Sequence, residues 1–395
     1  MNENEKRILT VLNQTHSATR KEIASACGIS WAATVKLVAR LEGKGLIRCL
    51  GESEAKTENG KTSLVYAVAE TRPLAIGIDV EYSTTRAAVY NLRRETFHTE
   101  SVPTETVADL SAFIAFLAPI VERCKAVLVE RGLKVEGVGI GMPGWLIPSG
   151  KSPFDQVARA LSSECGLPVV ADNSTRAYTL FLQRKLGIGG SFATFIVRTG
   201  VGVGIAIKGE LYRGEDGLAG ELGHLTVDPE GSACRCGKRG CMETCFNQKI
   251  LASRWSKESG EETRTGIAGL ADGEGEIALL QDLFSRAIEG NGAALAVLSD
   301  ASRFLAVPVS TLSLAMDIRR IIVAGHFGPD ASPLMRLLEE RLAKELHPRF
   351  RHTVSYERLE DEGFLIGASM LFLSAYCDYS VLAKATAGVA ERGRN

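Results

Sequence analysis

The chain has 395 residues, of which 45% are hydrophobic and 24% are charged, and its formal net charge is −1. This length is too great for one small core and suits a small domain joined to a larger one. The near-neutral balance excludes nucleic-acid binding through overall charge, so any such binding has to rest on a local surface. Because the N-terminus is charged and no apolar run approaches about 18 residues, we expect no signal peptide, no membrane span and a cytoplasmic location.

The first 72 residues carry a sequence of helix and turn signals. Residues 5–14 have apolar side chains at helical spacing, and Thr19 is expected to cap a short helix that ends near Cys27. Gly28 supplies a left-handed turn, and Ser30 caps a second helix that runs to about Lys44. The segments IRCL and SLVYAVA then predict two strands around a polar tip. This order predicts a winged helix-turn-helix over residues 1–72, followed by a second domain over 73–395.

Such a domain binds DNA through phosphate contacts from basic side chains and through base contacts from the start of its second helix. Trp31 is ambiguous at this stage, because it could pack in the core as easily as contact DNA. The alternative is a helical domain and hairpin that serve only for packing. The predicted DNA-binding residues are Arg20, Ser30, Trp31, Ala32, Lys36, Arg40 and Lys61.

A different pattern begins at Pro73, where short buried-strand runs alternate with helical stretches. The runs are LAIGIDV, TRAAVYNL, GVGIGMPG, LPVVADNS, paired strands within SFATFIVRTGVGVGIAIKGELYRG, and IRRIIVAGHFG. Helices are predicted at about 107–131, 176–186, 279–315 and 332–346. This alternation predicts two α/β lobes around a cleft, with functional residues at the ends of strands.

Three of the nine cysteines crowd into one short segment, at Cys234, Cys236 and Cys241. Together with His224 they supply three thiolates and one imidazole, a suitable tetrahedral set for structural zinc. The two glycines in the pattern Cys-x-Cys-Gly-x-x-Gly-Cys let the loop wrap around a metal. The alternative is a reduced cysteine-rich loop that holds no ion.

Residues 219–244, AGELGHLTVDPEGSACRCGKRGCMET, closely resemble the ROK family (repressors, open reading frames and kinases), and the resemblance covers nearly the whole chain from residue 73. A winged helix upstream is similar to the regulators of xylose and amino-sugar genes in that family. The resemblance implies an actin-like, ribonuclease-H-like and sugar-kinase-like fold of two lobes. Lobe one is expected at about 73–187 plus 366–395 and lobe two at about 188–365, with a C-terminal helix at roughly 366–385 packed on lobe one.

The resemblance also implies a sugar site beside the zinc loop. Glu221 and Glu243 match the family carboxylates that bind sugar hydroxyls, and His224 matches a histidine that binds zinc and contacts the sugar. One imidazole nitrogen can bind metal while the other donates to a hydroxyl. Asn173 is expected to hold a further hydroxyl. The alternative role for the two glutamates is to cap or orient the zinc loop.

Three parts of the family's kinase machinery are altered in this chain. The first phosphate loop, Asp-x-Gly-Gly-Thr in kinases, has Glu81 and Tyr82 at the glycine positions. A carboxylate there would repel ATP phosphates, and the phenol ring would fill their space.

The second altered part is the catalytic base. An alignment anchored on Arg176 and Ala177 puts Ser174 at the position of the catalytic Asp, and a serine at its normal pKa is not a useful base. A slip of two residues would instead put Asp172 there, and the sequence leaves both alignments open.

The third altered part is the nucleotide-binding turns. The family's Gly-Thr-Gly loop reads Arg198-Thr199-Gly200, and its late Gly-Gly turn reads Ala324-Gly325-His326. The stretch between Gly144 and Leu167 is also short, with SPFDQV in place of an Asn-Leu-Gly-Trp-like segment. Together these changes argue for an ATP site that has been lost.

These observations predict a DNA-binding transcription regulator, a repressor rather than an enzyme, with structural zinc as its cofactor. Its expected partners are operator DNA, a monosaccharide or sugar-derivative effector, and a second copy of the chain in a homodimer or a dimer of dimers. Sugar binding is expected to change the lobe angle and the spacing of two recognition helices on a palindromic operator. The alternatives are an ATP-dependent sugar kinase that carries a DNA-binding domain, and a constitutive regulator without a ligand.

Overall fold

The computed structural model describes residues 1–53, 62–81, 83–105, 107–144, 153–260 and 274–377. The chain divides into two compact units. The first unit contains residues 1–190, 208–211 and the described residues from Asp361 to Cys377, and the second contains Ser191–Ile207 and Tyr212–Glu360. The N-terminal domain and lobe one therefore belong to one unit, and lobe two forms the other.

The N-terminal domain is a winged helix-turn-helix, as predicted. Its elements are α1 (Glu3–Thr15), β1 (Ala18–Thr19), α2 (Arg20–Cys27), α3 (Trp31–Gly43), β2 (Ile47–Glu52) and β3 (Leu64–Val68). The two wing strands and β1 form a sheet in the order β1-β3-β2. The axes of α2 and α3 are bent by 112°, which is typical of a helix-turn-helix.

Local capping explains why the helices of this domain begin and end where they do. The Thr19 side chain accepts a hydrogen bond from the Glu22 N–H, and the Glu22 carboxylate accepts one from the Thr19 N–H. Gly28 has a φ of 61°, and the Ser30 hydroxyl accepts a bond from the Ala33 N–H at 3.3 Å. The three predicted signals are thus confirmed.

Lobe one consists of a five-stranded sheet and three helices. The strands are β4 (Leu74–Val80), β5 (Thr84–Asn91), β6 (Thr96–Pro103), β7 (Gly137–Met142) and β8 (Val169–Asn173), and the helices are α4 (Leu110–Glu130), α5 (Phe154–Cys165) and α6 (Ser174–Lys185). The sheet order is β6-β5-β4-β7-β8, with β4, β7 and β8 parallel. Asp79 and Asp172 pair with the same residue of β7, Gly141, so the ends of β4 and β8 lie at one edge of the sheet.

Lobe two repeats this plan. Its strands are β9 (Phe192–Val197), β10 (Val201–Ile207), β12 (Arg320–Gly325) and β13 (Thr353–Arg358), with the two-residue β11 (Glu210–Leu211) after β10, and its helices are α7 (Met242–Cys245), α8 (Gln248–Ser259), α9 (Glu274–Ile288), α10 (Gly292–Met316) and α11 (Ser332–Glu345). In lobe two, β10 pairs antiparallel with β9, and β9, β12 and β13 run parallel. In the same way, β5 of lobe one pairs antiparallel with β4, and β4, β7 and β8 run parallel. This duplicated pattern is the actin-like arrangement that was predicted.

The last described helix, α12 (Asp361–Leu373), packs on the sheet of lobe one and on α6. A Cβ added to Gly139 would lie 1.8 Å from the carbonyl oxygen of Ala368, so only glycine allows α12 to approach β7 this closely. The helix was predicted at roughly 366–385. It begins earlier, at Asp361, and the predicted residues after Cys377 lie outside the described part of the chain.

Several elements differ from the sequence-based expectation. The single helix predicted at 279–315 is two helices, α9 and α10, because Gly290 takes a φ of 84° and Asn291 caps α10. Strands β6 and β13 and helices α5 and α8 were not predicted. The sequence was expected to contain no apolar segment long enough to cross a membrane, but α10 is long and apolar enough to do so. Because 56% of that stretch is buried inside the protein, α10 resembles the core helix of a folded domain.

Candidate metal centre and DNA-binding surface

The four predicted zinc ligands meet in lobe two. One ligand atom each from His224, Cys234, Cys236 and Cys241 lies within 4.8 Å of every other. The Sγ atoms of Cys236 and Cys241 are 3.5 Å apart, and Cys234 Sγ is 3.5 Å from His224 Nδ1. Zinc bonds of about 2.3 Å in a tetrahedron place ligand atoms roughly 3.8 Å apart. The three thiols and the imidazole therefore fit a zinc ion in both chemistry and spacing.

The loop that carries the cysteines is shaped by its glycines and by backbone bonds. The Cys234 N–H donates to the Lys238 carbonyl at 2.7 Å, and Gly237 in this turn has a φ of 89°. A Cβ on Gly240 would lie 1.4 Å from the Asp228 carbonyl oxygen. Glycine is therefore required there for the chain to return and bring Cys241 back to the other ligands.

The thiols differ in how readily they lose a proton. Burial raises the pKa of Cys234 to about 12, and the hydrogen bond that the thiol donates to Glu243 adds to this rise. The backbone N–H of Lys238 lowers the pKa of Cys236 below its usual value, because it stabilises the thiolate. A zinc ion would have to displace a proton from Cys234, while Cys236 is the readier ligand.

The predicted sugar ligands of lobe two lie directly beside this cluster. Glu243 Oε1 is 3.1 Å from Cys234 Sγ and 3.4 Å from His224 Nδ1, and its Oε2 is 3.5 Å from the Arg235 guanidinium. On the other side of the imidazole, His224 Nε2 is 3.9 Å from Glu221 Oε2. The two nitrogens therefore face opposite ways, Nδ1 toward the thiols and Nε2 toward Glu221.

A cavity of about 320 Å³ opens next to Glu243. Its polar lining comes from Thr199, Ser232, Arg235, Glu243, Thr244 and Asn247. Arg235 and Asn247 were not predicted as site residues from the sequence. Cys234 and Cys236 both contribute ligand atoms to the Cys/His cluster, so the residue between them is expected to point away from it. This alternation is the sequence signal that could have identified Arg235.

Asn173 belongs to the first unit, at the end of β8. Its side-chain oxygen accepts a hydrogen bond from the Thr175 N–H at 2.8 Å and so caps α6. The neighbouring Asp172 is buried, and its carboxylate accepts a 2.5 Å bond from Arg176 Nε. The Arg176 guanidinium also lies 5.3 Å from the ring of Phe154, the first residue of α5 within the SPFDQV segment. Asp172 is thus engaged in a buried ion pair, and Ser174 is the first residue of α6.

The predicted first phosphate loop contains an ion cluster. The Arg86 guanidinium donates to Asp79 at 2.8 Å and to Glu81 at 3.0 Å, and β4–β5 pairing sets Arg86 opposite Asp79. Burial alone would lower the pKa of Arg86, but the two carboxylates raise it, so the side chain stays charged. Tyr82 lies outside the described residues.

The turn at Ala324-Gly325-His326, which was predicted to approach a nucleoside, packs on aromatic side chains inside lobe two. The buried ring of Phe327 stacks on Phe284 at 4.8 Å and on Tyr356 at 5.7 Å, and it covers the Cα of Gly325. The Tyr356 hydroxyl donates to the carbonyl oxygens of Gly325 and Gly328, at 2.9 and 2.8 Å. These groups hold the turn from inside lobe two.

The residues predicted to contact DNA divide into two groups. Ser30, Trp31, Ala32 and Lys36 are exposed along the start of α3, and Trp31 is 59% exposed, which removes the option that it packs in the core. The other group has protein partners: Arg20 stacks over the Tyr66 ring at 5.0 Å, and Arg40 lies 3.8 Å from the buried Glu5. Lys61 lies outside the described residues.

Comparisons with known proteins agree with both parts of the chain. Residues 75–375 match the ROK family, and residues 1–48 match a winged helix-turn-helix DNA-binding family. A putative xylose repressor of Caldicellulosiruptor sp. is 24% identical, covering 94% of this chain and 96% of the relative. A glucokinase of Halalkalibacterium halodurans is 26% identical, covering 69% of this chain and 86% of the relative. A solved ROK family transcriptional regulator, described as a homologue of the E. coli MLC protein, aligns over 96% of this chain and 97% of its own at 18% identity, with a TM-score of 0.73.

The fold and the site define a winged helix-turn-helix protein whose second domain has the two-lobed architecture of sugar kinases. The chain belongs to the ROK family, and its similarity to the putative xylose repressor extends over the N-terminal domain as well. The fold class that was expected from the resemblance is confirmed.

Proposed function

We propose that the protein is a sugar-responsive DNA-binding transcription regulator, a repressor, that acts in the cytoplasm as a dimer and does not transfer phosphate from ATP. The observation that carries the proposal is the presence in one chain of an exposed recognition helix and of a phosphate loop occupied by the Arg86 ion cluster. The full-length similarity to a putative xylose repressor supports the regulatory part.

Three features support the loss of phosphotransfer. Glu81 places a carboxylate where kinases need backbone N–H groups for phosphates, and Arg86 holds it there. Asp172 is committed to Arg176, so it is a poor candidate for a base that has to accept a proton. The turn that would approach a nucleoside carries Ala324 and His326 beside Gly325 where the family has Gly-Gly, which adds side chains there.

Glu221, His224 and Glu243 are proposed to bind the hydroxyls of the effector, and the hydroxyl, amide and charged side chains that line part of the cavity beside Glu243 could meet further hydroxyls. Asn173 stays a predicted sugar contact from the first unit. Zinc would have a structural role. It would bind Nδ1 of His224, so that Nε2 could contact a hydroxyl of the effector.

A continuous path within the first unit supports coupling between Asn173 and the recognition helix. Asn173 caps α6, and α6 contacts α12 so closely that a Cβ on Gly367 would lie 2.2 Å from the Ala177 carbonyl oxygen. After α12, the Tyr376 hydroxyl donates to Glu136 at 2.7 Å. Arg72 donates to the other oxygen of Glu136 at 2.6 Å and to the Lys44 carbonyl, which ends α3, at 3.3 Å.

A second candidate function is an ATP-dependent sugar kinase that carries a DNA-binding domain. The similarity to a glucokinase over 86% of that enzyme favours it. The two candidates are separated by incubating the zinc-loaded full chain with ATP and glucose, xylose or an amino sugar. We expect no sugar-dependent ADP release, and release above that of a Glu243→Gln control would establish the kinase instead.

DNA binding is tested by selecting duplexes from a random library with the full chain. The proposal expects enrichment of a palindromic site, since two copies of the domain related by a two-fold axis read two half-sites. The control is Lys36→Ala with Trp31→Ala, which should abolish enrichment. Failure of the unaltered chain to enrich any duplex would refute the proposal.

A further inference from the structure

We propose that the recognition helix α3 reads its operator mainly through the methyl groups of thymines, with Trp31 as a principal contact. The proposal rests on the DNA binding proposed above and adds the base chemistry that is recognised. It concerns the outer face of α3, which consists of Trp31, Ala32, Val35, Lys36 and Ala39.

The outer face is unusual because it is apolar and yet accessible. Thr34, Leu37, Val38 and Leu41 form the opposite side of α3 and are buried in the domain. Trp31, Ala32, Lys36 and Ala39 are exposed and Val35 is half-buried. The outward side of a surface helix is ordinarily polar, so an apolar outward side indicates a surface that a partner covers.

The partner that fits this face is the major groove of DNA. Base pairs differ there in their hydrogen-bonding edges and in the methyl group that only thymine carries. None of these five residues is an Arg, Asn, Gln, Asp or Glu that could make bidentate hydrogen bonds to a base, and their side-chain donors are the Lys36 ammonium and the Trp31 indole N–H. The apolar side chains can therefore discriminate thymine from the other bases by contact with its methyl group.

Three polar residues near the outer face have partners within the domain. The Ser30 hydroxyl accepts the Ala33 N–H as a helix cap, Arg20 stacks on Tyr66, and Arg40 lies beside Glu5. Lys21 on α2 and Lys36 on the outer face itself are exposed, and their charges can complement phosphates. Exposed cationic side chains together with an apolar helix face favour DNA over a second protein surface.

The test uses the duplex that the full chain selects from a random library. Each thymine of a half-site is replaced singly by uracil, which differs only in the missing methyl. At one or more positions read by α3, we expect an affinity about four-fold weaker, the loss for one buried methyl group. The Trp31→Ala variant should bind thymine and uracil duplexes equally at one of these positions, whereas Lys36→Ala should weaken both by the same factor.

Val129→Ala, which truncates another exposed apolar side chain on α4, is the matched control and should retain the four-fold preference. If the selected duplex tolerates uracil at every position, the inference is wrong while DNA binding stands. If no duplex is selected, both fail together. If Trp31→Ala changes the oligomeric state in sedimentation and leaves DNA affinity intact, the outer face is a protein interface and the inference is overturned.

Discussion

Replacing Arg86 by methionine tests whether the phosphate-loop region is now a structural ion cluster. The substitution keeps an unbranched side chain of similar length and removes the guanidinium from Asp79 and Glu81. The Asp79 side chain is 1% exposed, whereas that of Glu81 is 30% exposed. Loss of the Glu81 contact should therefore cost less than about 1 kcal/mol, as for an exposed pair.

The buried partner sets the size of the effect. Removal of one member of a buried ion pair costs about 3–5 kcal/mol, because the other charge stays in a poorly solvated site. We expect Arg86→Met to lower the free energy of unfolding by about that amount. The double variant with Asp79→Asn should recover part of the loss, since the amide carries no charge.

Urea unfolding of the full chain measures the loss, and hydrogen exchange of β4 and β5 assigns it to lobe one. Arg93→Met is the control, because Arg93 pairs with Glu70 and Glu95 at 3.4 and 3.2 Å near the surface and should cost less than about 1 kcal/mol. A loss below about 1 kcal/mol for Arg86→Met, or ATP-dependent phosphorylation by this variant, would show that the Arg86 cluster does not have this structural role.

Three other predictions concern the metal centre, the N-terminal domain and the path between the domains. Cys236→Ser should reduce bound zinc from about one per chain to a small fraction in elemental analysis, and a full equivalent retained after dialysis against a chelator would contradict the ligand set. For Glu5, burial raises the pKa, but the Asn2 N–H and Lys44 outweigh it and lower the pKa. The stabilisation from Glu5 should be present above the unfolded pKa and disappear as pH falls through the folded pKa, so Glu5→Gln should flatten the acid limb of N-terminal domain stability; an unchanged limb would count against this. Tyr376→Phe removes a hydrogen bond to a charged group, should cost about 1.5–3 kcal/mol and should reduce the effect of effector on DNA affinity, and a full effector response would exclude this path.

The local signals of the sequence predicted the N-terminal domain and the clustering of His224 with three cysteines well. Thr19, Gly28 and Ser30 act within a few residues of their own positions, so their roles could be inferred without the fold. The cysteine spacing likewise specified a loop that closes on itself. Helix α5 was missed although Phe154, Val157, Leu161 and Cys165 have helical spacing, because that segment was interpreted only by its departure from the family pattern.

Contacts between distant residues could not be predicted from the sequence. The DNA contact of Arg20 stays a prediction, whereas the stacking of its guanidinium on Tyr66, which strand β3 brings beside it, had no local signal. The bond between Arg72 and Glu136 joins residues 64 positions apart, and nothing local to either one indicates it. The partnership of Arg86 with Asp79 depends on the register of β4 and β5, which the alternation of apolar residues does not specify.

Sugar binding and DNA binding are expected to be coupled in this chain. The direct measurement is the fluorescence anisotropy of the selected duplex with zinc-loaded full chain, repeated with saturating glucose, xylose and amino sugars. We predict that at least one sugar changes the Kd for DNA about ten-fold, a coupling of about 1.4 kcal/mol, and that Glu243→Gln abolishes the change without altering the sugar-free Kd. A Kd that is the same with and without every sugar would contradict the coupling between sugar binding and DNA binding.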